Sequence, residues 1–301
     1  MIVQDFSPKD ITALLKTTGF KFKAGSFSVK LFSNIEGLAK GIATLYAHAE
    51  VPATACDFTV HLNTPFGLRR FFRPQVNFSL NGIEPFTPLP VSQALPLLEW
   101  GMNWCVTNHN HELLIIHAAV VEKNGTALIL PGSPGSGKST LCAALVELGG
   151  WRLLSDELTM VDLQTGCIQP NPRPVSLKNQ SIDLAKSFVD KARFSPVVHD
   201  TVKGSVAHFT PQKNSIESAS KTAQPKLIVY PKYIPNTENS LEQVSKGQSF
   251  IQMAENSFNY NVLGIEGFKA LAKLHDNVEC FSFQYDGNLE YAINTMDSLV
   301  R

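Results

Sequence analysis

The stretch LPGSPGSGKSTL, residues 130–141, constrains this chain most. From Gly132 to Thr140 it satisfies the spacing G-x-x-x-x-G-K-[ST], with an apolar β-like run before it and a helix-like run after it. Each residue type has a reason. Gly132, Gly135 and Gly137 let the backbone curl so that successive N–H groups converge on phosphate oxygens. The helix that follows adds free amides and a favourable dipole at its start. Lys138 carries a mobile point charge for the β- and γ-phosphates. The Ser139 hydroxyl suits the shell of a Mg²⁺ ion, which prefers oxygen ligands. The whole run Gly132, Ser133, Pro134, Gly135, Ser136, Gly137, Lys138, Ser139 and Thr140 therefore reads as a cradle for the phosphates of ATP with Mg²⁺.

Composition narrows the partners. The chain has 301 residues, of which 44% are hydrophobic, enough for one large or two ordinary cores. Lys and Arg together number 26 and so do Asp and Glu, so the basic surplus of a nucleic-acid binder is missing. The five cysteines are widely spaced with no CxxC pair, which points away from a zinc site or a disulfide framework. No apolar run is long enough for a membrane span, and MIVQDFSPKD lacks the pattern of a signal peptide. The expectation is a cytoplasmic protein with no membrane and no nucleic-acid partner; a homo-oligomer is left open.

Along the chain, residues 1–90 carry the alternating runs SFSVKLFS, DFTVHL and QVNFSL, with a helix over PKDITALLKTTG. They read as a small N-terminal β-rich domain, ended by Pro85, Pro88 and Pro90, with a second domain over 91–301. That domain begins with a helix over VSQALPLLEWGMNWCVTNHNH. Asn124-Gly125 then joins Leu113–Val121 to Thr126–Leu130 as a hairpin running into the cradle. STLCAALVELGG reads as a helix, and WRLLSDELTMVDLQTG as strand, break and strand. The polar stretch 190–225 is expected to be a mobile loop. KLIVYP and VECFSFQY are late strands; GFKALAKLHDN and NLEYAINTMDSLV are helices.

Cradles of this kind serve kinases, motors, transporters and GTPases alike. The LSGGQ, NKxD and TKxD patterns are absent. The informative neighbour is LLSDEL, which puts Asp156 and Glu157 at a β-strand end, 18 and 19 residues beyond Lys138. Adjacent carboxylates on a strand point to opposite faces, so one can organise the metal while the other accepts a proton from an attacking hydroxyl.

The segment Ile116–Val161 resembles the catalytic core of the HPr kinase/phosphorylase family, and the closer likeness is to the HPr kinase-related kinases of the kinase A type. PRPVSLKN, GSVAHFTP and LIVYPKY follow at similar intervals. The resemblance implies an α/β fold, with the mixed sheet of a P-loop kinase core. It implies that Asp156 is the base that deprotonates an acceptor hydroxyl, with His117 its tuning neighbour. Glu157 stands where the family has a second Asp, and Thr140 where it usually has an acid. Asn171 stands where the family has a metal-binding glutamate, and Arg173 matches the arginine two positions on. Glu157 and Asn171 would join Ser139 at the metal.

Pro172 and Pro174 stiffen the loop that presents Arg173, with Lys178 close behind, so these cations can clamp an anionic acceptor or the transferred group. His208 in VAHFTP is a further candidate for contact with the acceptor, or a structural histidine on an apolar segment. Arg69, Arg70 and Arg73 form a basic cluster among aromatics that reads as a solvated face or a docking surface. The expected function is an ATP-dependent kinase acting on a hydroxyl, most simply that of a small hydroxylated metabolite. A serine or threonine of a protein or peptide partner is one alternative, and an ATP-bound regulatory module without an acceptor is the other.

Overall fold

The computed structural model describes residues 1–65, 67, 72–133 and 135–300. The basic cluster at Arg69 and Arg70, and the cradle's Pro134, lie outside the described residues. The fold is mixed α/β, built on sheets that combine parallel and antiparallel pairs. Two compact units divide the chain. The first comprises 1–106, 176–183 and 190–210; the second comprises 107–175, 184–189 and 211–301.

In the first unit, helix α1 (Pro8–Lys16) starts at a capping box in which Ser7 and Asp10 satisfy each other's backbone amides. A five-stranded sheet follows, in the order β1 (Phe20–Ala24), β2 (Phe27–Ser33), β3 (Phe58–Asn63), β4 (Gln75–Leu80), β5 (Leu89–Pro90). β2 and β3 run parallel and the other pairs antiparallel, with α2 (Leu38–Leu45) between β2 and β3 in sequence. The alternation read from the sequence matches burial here. Val29 and Leu31, Val60 and Leu62, and Val76 and Phe78 all face inward.

A boundary at residue 90 falls inside this unit. The cause is α3 (Ala94–His109), whose first three turns pack on the sheet and on α2. Glu99 accepts a 2.6 Å hydrogen bond from the Tyr46 hydroxyl. Gly101 lies so close to the Phe78 ring that a methyl group there would overlap it.

The second unit is built on β6 (Leu113–Lys123) and β7 (Thr126–Pro131). They form the expected hairpin, with Asn124 at φ 54° and Gly125 at φ 80°, as a two-residue turn of matching twist requires. α4 (Lys138–Glu147) follows the cradle, then β8 (Arg152–Ser155), β9 (Leu158–Asp162) and β10 (Ile168–Gln169). The stretch expected to be a mobile loop instead folds. After β11 (Val175–Lys178) and the helix α5 (Gln180–Ala185), it holds β12 (Val198–Thr201) and β13 (Gly204–Phe209), which belong to the first unit and pair in the sheet order β11-β13-β12. α6 (Lys213–Glu217) comes next. The reason is burial hidden by polar composition: Val206, Ala207, His208 and Phe209 are all buried, and Asp200 and Gly204 adopt positive φ at the turn.

The remaining elements are β14 (Gln224–Tyr233), β15 (Ser240–Gln243), α7 (Lys246–Glu255), α8 (Tyr260–Leu263), α9 (Ile265–Asp276), β16 (Glu279–Tyr285) and α10 (Leu289–Leu299). The large sheet runs β10-β9-β6-β7-β14-β16-β15, with β8 also paired to β6. β7, β14 and β16 are mutually parallel, so their carboxyl ends share one edge. Ile116, Ala118 and Val120 of β6, Ile129 of β7 and Ile228 of β14 pack with Met253 of α7 and Ala270 and Leu271 of α9. α4 packs on β6, β7, β8 and β14. This core fixes the strand ends that carry the site.

Candidate functional site

The register of β6 assembles the site. Ala118 pairs with Pro131 at the end of β7, and Val120 pairs with Ser155 at the end of β8. The cradle and the acidic pair therefore leave the sheet at the same edge, on either side of one strand. His117 is the next residue of that strand. Beyond the end of β7, the vacated side of β6 is taken by residues 256–258. The His117 amide donates to the Asn256 carbonyl at 2.8 Å, the Phe258 amide donates to the Ile115 carbonyl at 2.9 Å, and the Phe258 ring stacks on His117 with centroids 5.7 Å apart.

The cradle's geometry fits a phosphate chain. Gly135 and Gly137 lie at φ 89° and 86°, a region that favours glycine. A Cβ on Gly132 would stand 2.5 Å from Ser136 Oγ, and one on Gly137 would stand 2.5 Å from the Tyr285 hydroxyl. α4 begins at Lys138 with no side-chain cap, which leaves its first amides for an anion. Ser136 Oγ is a buried atom with no hydrogen-bond partner. Lys138 is buried at 8% exposure, Ser139 and Thr140 are half-buried, and Ser133 and Gly135 are exposed.

Two tyrosines, which the sequence reading missed, brace the loop from the neighbouring parallel strands. The Tyr233 amide donates to the Ser136 carbonyl at 3.0 Å, and the Tyr285 hydroxyl reaches the Gly137 carbonyl at 3.4 Å. Burial, with Tyr233 adding to it, raises the Tyr285 pKa, so this phenol stays a neutral donor. Their signal in the sequence is their place at the carboxyl ends of LIVYPKY and VECFSFQY, where parallel strands open onto a ligand.

Asp156 is buried at 4% exposure, whereas Glu157 is half-buried. Asn171, at 1% exposure, is tied to the same strand, because its amide donates to the Leu154 carbonyl at 2.6 Å. The Arg173 amide turns back to the Asn171 carbonyl at 2.9 Å, and Arg173 itself is 7% exposed. Cys142 of α4 sits within the field of both charged groups. Burial pushes its thiol well up, the Asp156 charge pushes it further, and Lys138 opposes that. One sulfur atom thus senses the acid and the lysine together.

Ser139, Glu157 and Asn171 offer hydroxyl, carboxylate and amide oxygens, the hard donors that Mg²⁺ prefers. Among the described residues no group of three or more His, Cys, Asp and Glu could hold a metal. Lys178 and His208 belong to the first unit, whereas the set above belongs to the second. The Lys178 amide donates to Ser181 Oγ at 2.9 Å. His208, at 2% exposure, donates its amide to Ser195 Oγ at 3.0 Å and accepts at its carbonyl from the Ser195 amide at 2.8 Å.

A cavity of about 600 Å³ opens beside the cradle. It is walled by Pro131, Gly132, Ser133, Gly135 and Ser136, by Tyr230, Lys232 and Tyr233 of β14, by Gln252 and Asn256 at the end of α7, and by Ser282 of β16. No helix among the described residues is long and apolar enough to cross a membrane. Compared with known proteins, the chain matches no protein-family model and no curated protein.

Proposed function

We propose that this chain is an ATP-dependent kinase of the HPr kinase type, transferring a phosphoryl group to a hydroxyl. The observation that carries this reading is the β6 register, with the cradle leaving β7 and Asp156 leaving β8 at one edge. Bound ATP·Mg²⁺ would supply the electrophilic γ-phosphorus and partial neutralisation of its charge. The amides of the cradle and of the first turn of α4 hold the phosphates, and Lys138 balances the charge on the β- and γ-oxygens. Ser139, Glu157 and Asn171 would hold the metal through oxygen. Asp156 takes the proton of the acceptor hydroxyl as its oxygen bonds to phosphorus, and ADP leaves. His117 orients that carboxylate, and Arg173 orients the acceptor or the transferred group. Positioning and fixed charge do most of the work in such a reaction.

Burial favours a small anionic hydroxylated acceptor over a protein serine. Asp156, Asn171 and Arg173 are all at most 7% exposed, and a buried arginine suits a ligand that enters the unit. Labelled ATP offered to a pool of hydroxy acids and sugar acids tests the reading. Label should pass to a small molecule with wild type, while Asp156→Asn still binds nucleotide but loses transfer by at least about 100-fold. Full transfer by Asp156→Asn would remove the base assignment, and label on protein only would favour the peptide acceptor.

A further inference from the structure

The acid and most of the cavity's wall lie on opposite flanks of β7, while Asn256, whose carbonyl accepts from the His117 amide, joins that wall to β6. On one side come β6 and then β8, which Asp156 directly follows; on the other come β14 and β16, which carry Tyr230, Lys232 and Ser282. A nucleotide's phosphates cross the carboxyl end of β7 over the glycine-rich loop. If the γ-end points to the acid, the other end runs toward β14 and β16. We propose that the 600 Å³ cavity receives the ribose and base of the nucleotide, with Gln252 and Ser282 as the groups that read it. This rests on the kinase reading above.

The chemistry of the walls agrees. A volume of this size lies in the range of small-molecule pockets, about 300–1,000 Å³. The side chains offered are amides, hydroxyls, tyrosine rings and one ammonium, with no carboxylate among them to repel an anion's neighbour. Several of these groups are already spoken for. The Tyr230 hydroxyl bonds Ser249, and Asn256 Nδ2 donates to the Gln252 carbonyl at 2.8 Å. No hydrogen bond engages the side chains of Gln252, Ser282 or Lys232 among the described residues, so they remain available to a ligand. A primary amide presents a donor and an acceptor side by side, which is what a base edge requires. Ser136 Oγ, buried and unpartnered, lies on the same wall and adds a hydroxyl where loop and cavity meet.

The parallel register explains why these residues meet. Tyr230 pairs with Ser282, and Lys232 with Gln284, so Tyr230, Lys232 and Ser282 share one face of the sheet. Tyr230 packs on the core that α7 and α9 cover, which brings Gln252 over the same strand ends.

The test compares two probes on the full chain with Mg²⁺ present: AMP-PNP, and inorganic tripolyphosphate, which has no nucleoside. Two variants are used. Ser282→Phe fills the cavity, and Gln252→Ala removes the amide with little change in packing. Both should lose AMP-PNP affinity by about tenfold or more while keeping tripolyphosphate affinity, which also certifies that each is folded. Unchanged AMP-PNP affinity in the folded variants overturns the assignment and leaves the cavity to the acceptor. An equal loss of both probes also overturns it, because the cavity would then act only through the cradle. Wild type that binds neither probe removes the kinase reading itself, a result distinct from both.

Discussion

The Tyr233 amide donates to the Ser136 carbonyl at 3.0 Å, which ties the carboxyl end of β14 to the tip of the glycine-rich loop. The loop is thus not held by its own strand and helix alone. Gly137, one residue on, is the point of closest approach. A Cβ there would meet the Tyr285 hydroxyl at 2.5 Å and Tyr233 Cβ at 3.0 Å, at a φ of 86°.

Gly137→Ala should therefore damage the cradle twice. The left-handed conformation costs a side chain about 1–2 kcal/mol, and the tyrosines add a steric cost. We expect tripolyphosphate and AMP-PNP affinity to fall at least about tenfold in titration calorimetry. Adding Tyr285→Phe relieves the contact with the hydroxyl but not the backbone strain, so recovery should be partial. Full recovery would mean that conformation at Gly137 is not limiting.

Asp297 of α10 is a structural counterpart. Its carboxylate accepts from Lys123 Nζ at 2.8 and 2.9 Å and from Trp151 Nε1 at 2.8 Å, joining the hairpin, the start of β8 and the last helix. Both members of the Lys123–Asp297 pair are about a quarter exposed, at 26% and 25%. The loss on truncation should then be smaller than the about 3–5 kcal/mol typical of a buried pair. Asp297→Ala should cost roughly 2 kcal/mol, since Trp151 is 1% exposed and its indole N–H would lose its partner. Urea unfolding followed by tryptophan fluorescence checks it. A loss under about 0.5 kcal/mol would mean that water replaces the carboxylate.

In the first unit the decisive contact is steric. Gly101→Ala gains up to about 1 kcal/mol of helix propensity. Its methyl group would overlap the Phe78 ring, and overpacking of a filled core costs about 1–3 kcal/mol. The clash should win, giving a net loss of stability. The double variant Gly101→Ala/Phe78→Leu should recover part of it, and an equally unstable double variant would place the strain elsewhere.

The glycine-rich turn between β7 and α4 and the hairpin were legible because their signals are local. Asn124-Gly125 can hardly be anything but a tight turn, and the spacing from Gly132 to Thr140 carries its own mechanism. Asp156 was legible as a strand-end acid, and its position one strand from the cradle follows from pairing with β6. Lys232, Gln252 and Ser282 were not legible as a set. They come from three elements that only parallel pairing and helix packing bring together. α7 escaped notice because Lys246–Glu255 is half polar, although Ser245 caps it through the Gln248 amide. The turn from β12 to β13 was hidden by its serines and lysine, since burial of alternate and adjacent residues there depends on tertiary contacts.

His275 of α9 lies behind the cavity wall and should give the second unit a pH-dependent stability. Its Nδ1 faces the Leu271 carbonyl at 2.8 Å, which can only accept, so Nδ1 carries the proton. Nε2 then accepts from Ser249 Oγ at 3.1 Å, and Ser249 in turn meets the Tyr230 hydroxyl at 2.8 Å. Burial pushes Tyr230 up to about 12, so it stays protonated throughout. For His275 burial is the largest influence and lowers the pKa from 6.5. The Leu271 carbonyl opposes this, Lys246 adds to it, and Ser249 and Asp276 oppose it. A lowered folded pKa means that the unfolded chain binds the extra proton first. Stability is then full above the unfolded value near 6.5 and declines as pH falls through it toward the folded value. Unfolding midpoints measured from about pH 7 to about pH 5 should fall for wild type and fall less for His275→Gln. Protonation would turn Nε2 into a donor, and the Ser249 hydroxyl, which accepts as well as donates, would then receive that bond. If wild type and His275→Gln lost stability in parallel, another group would be titrating.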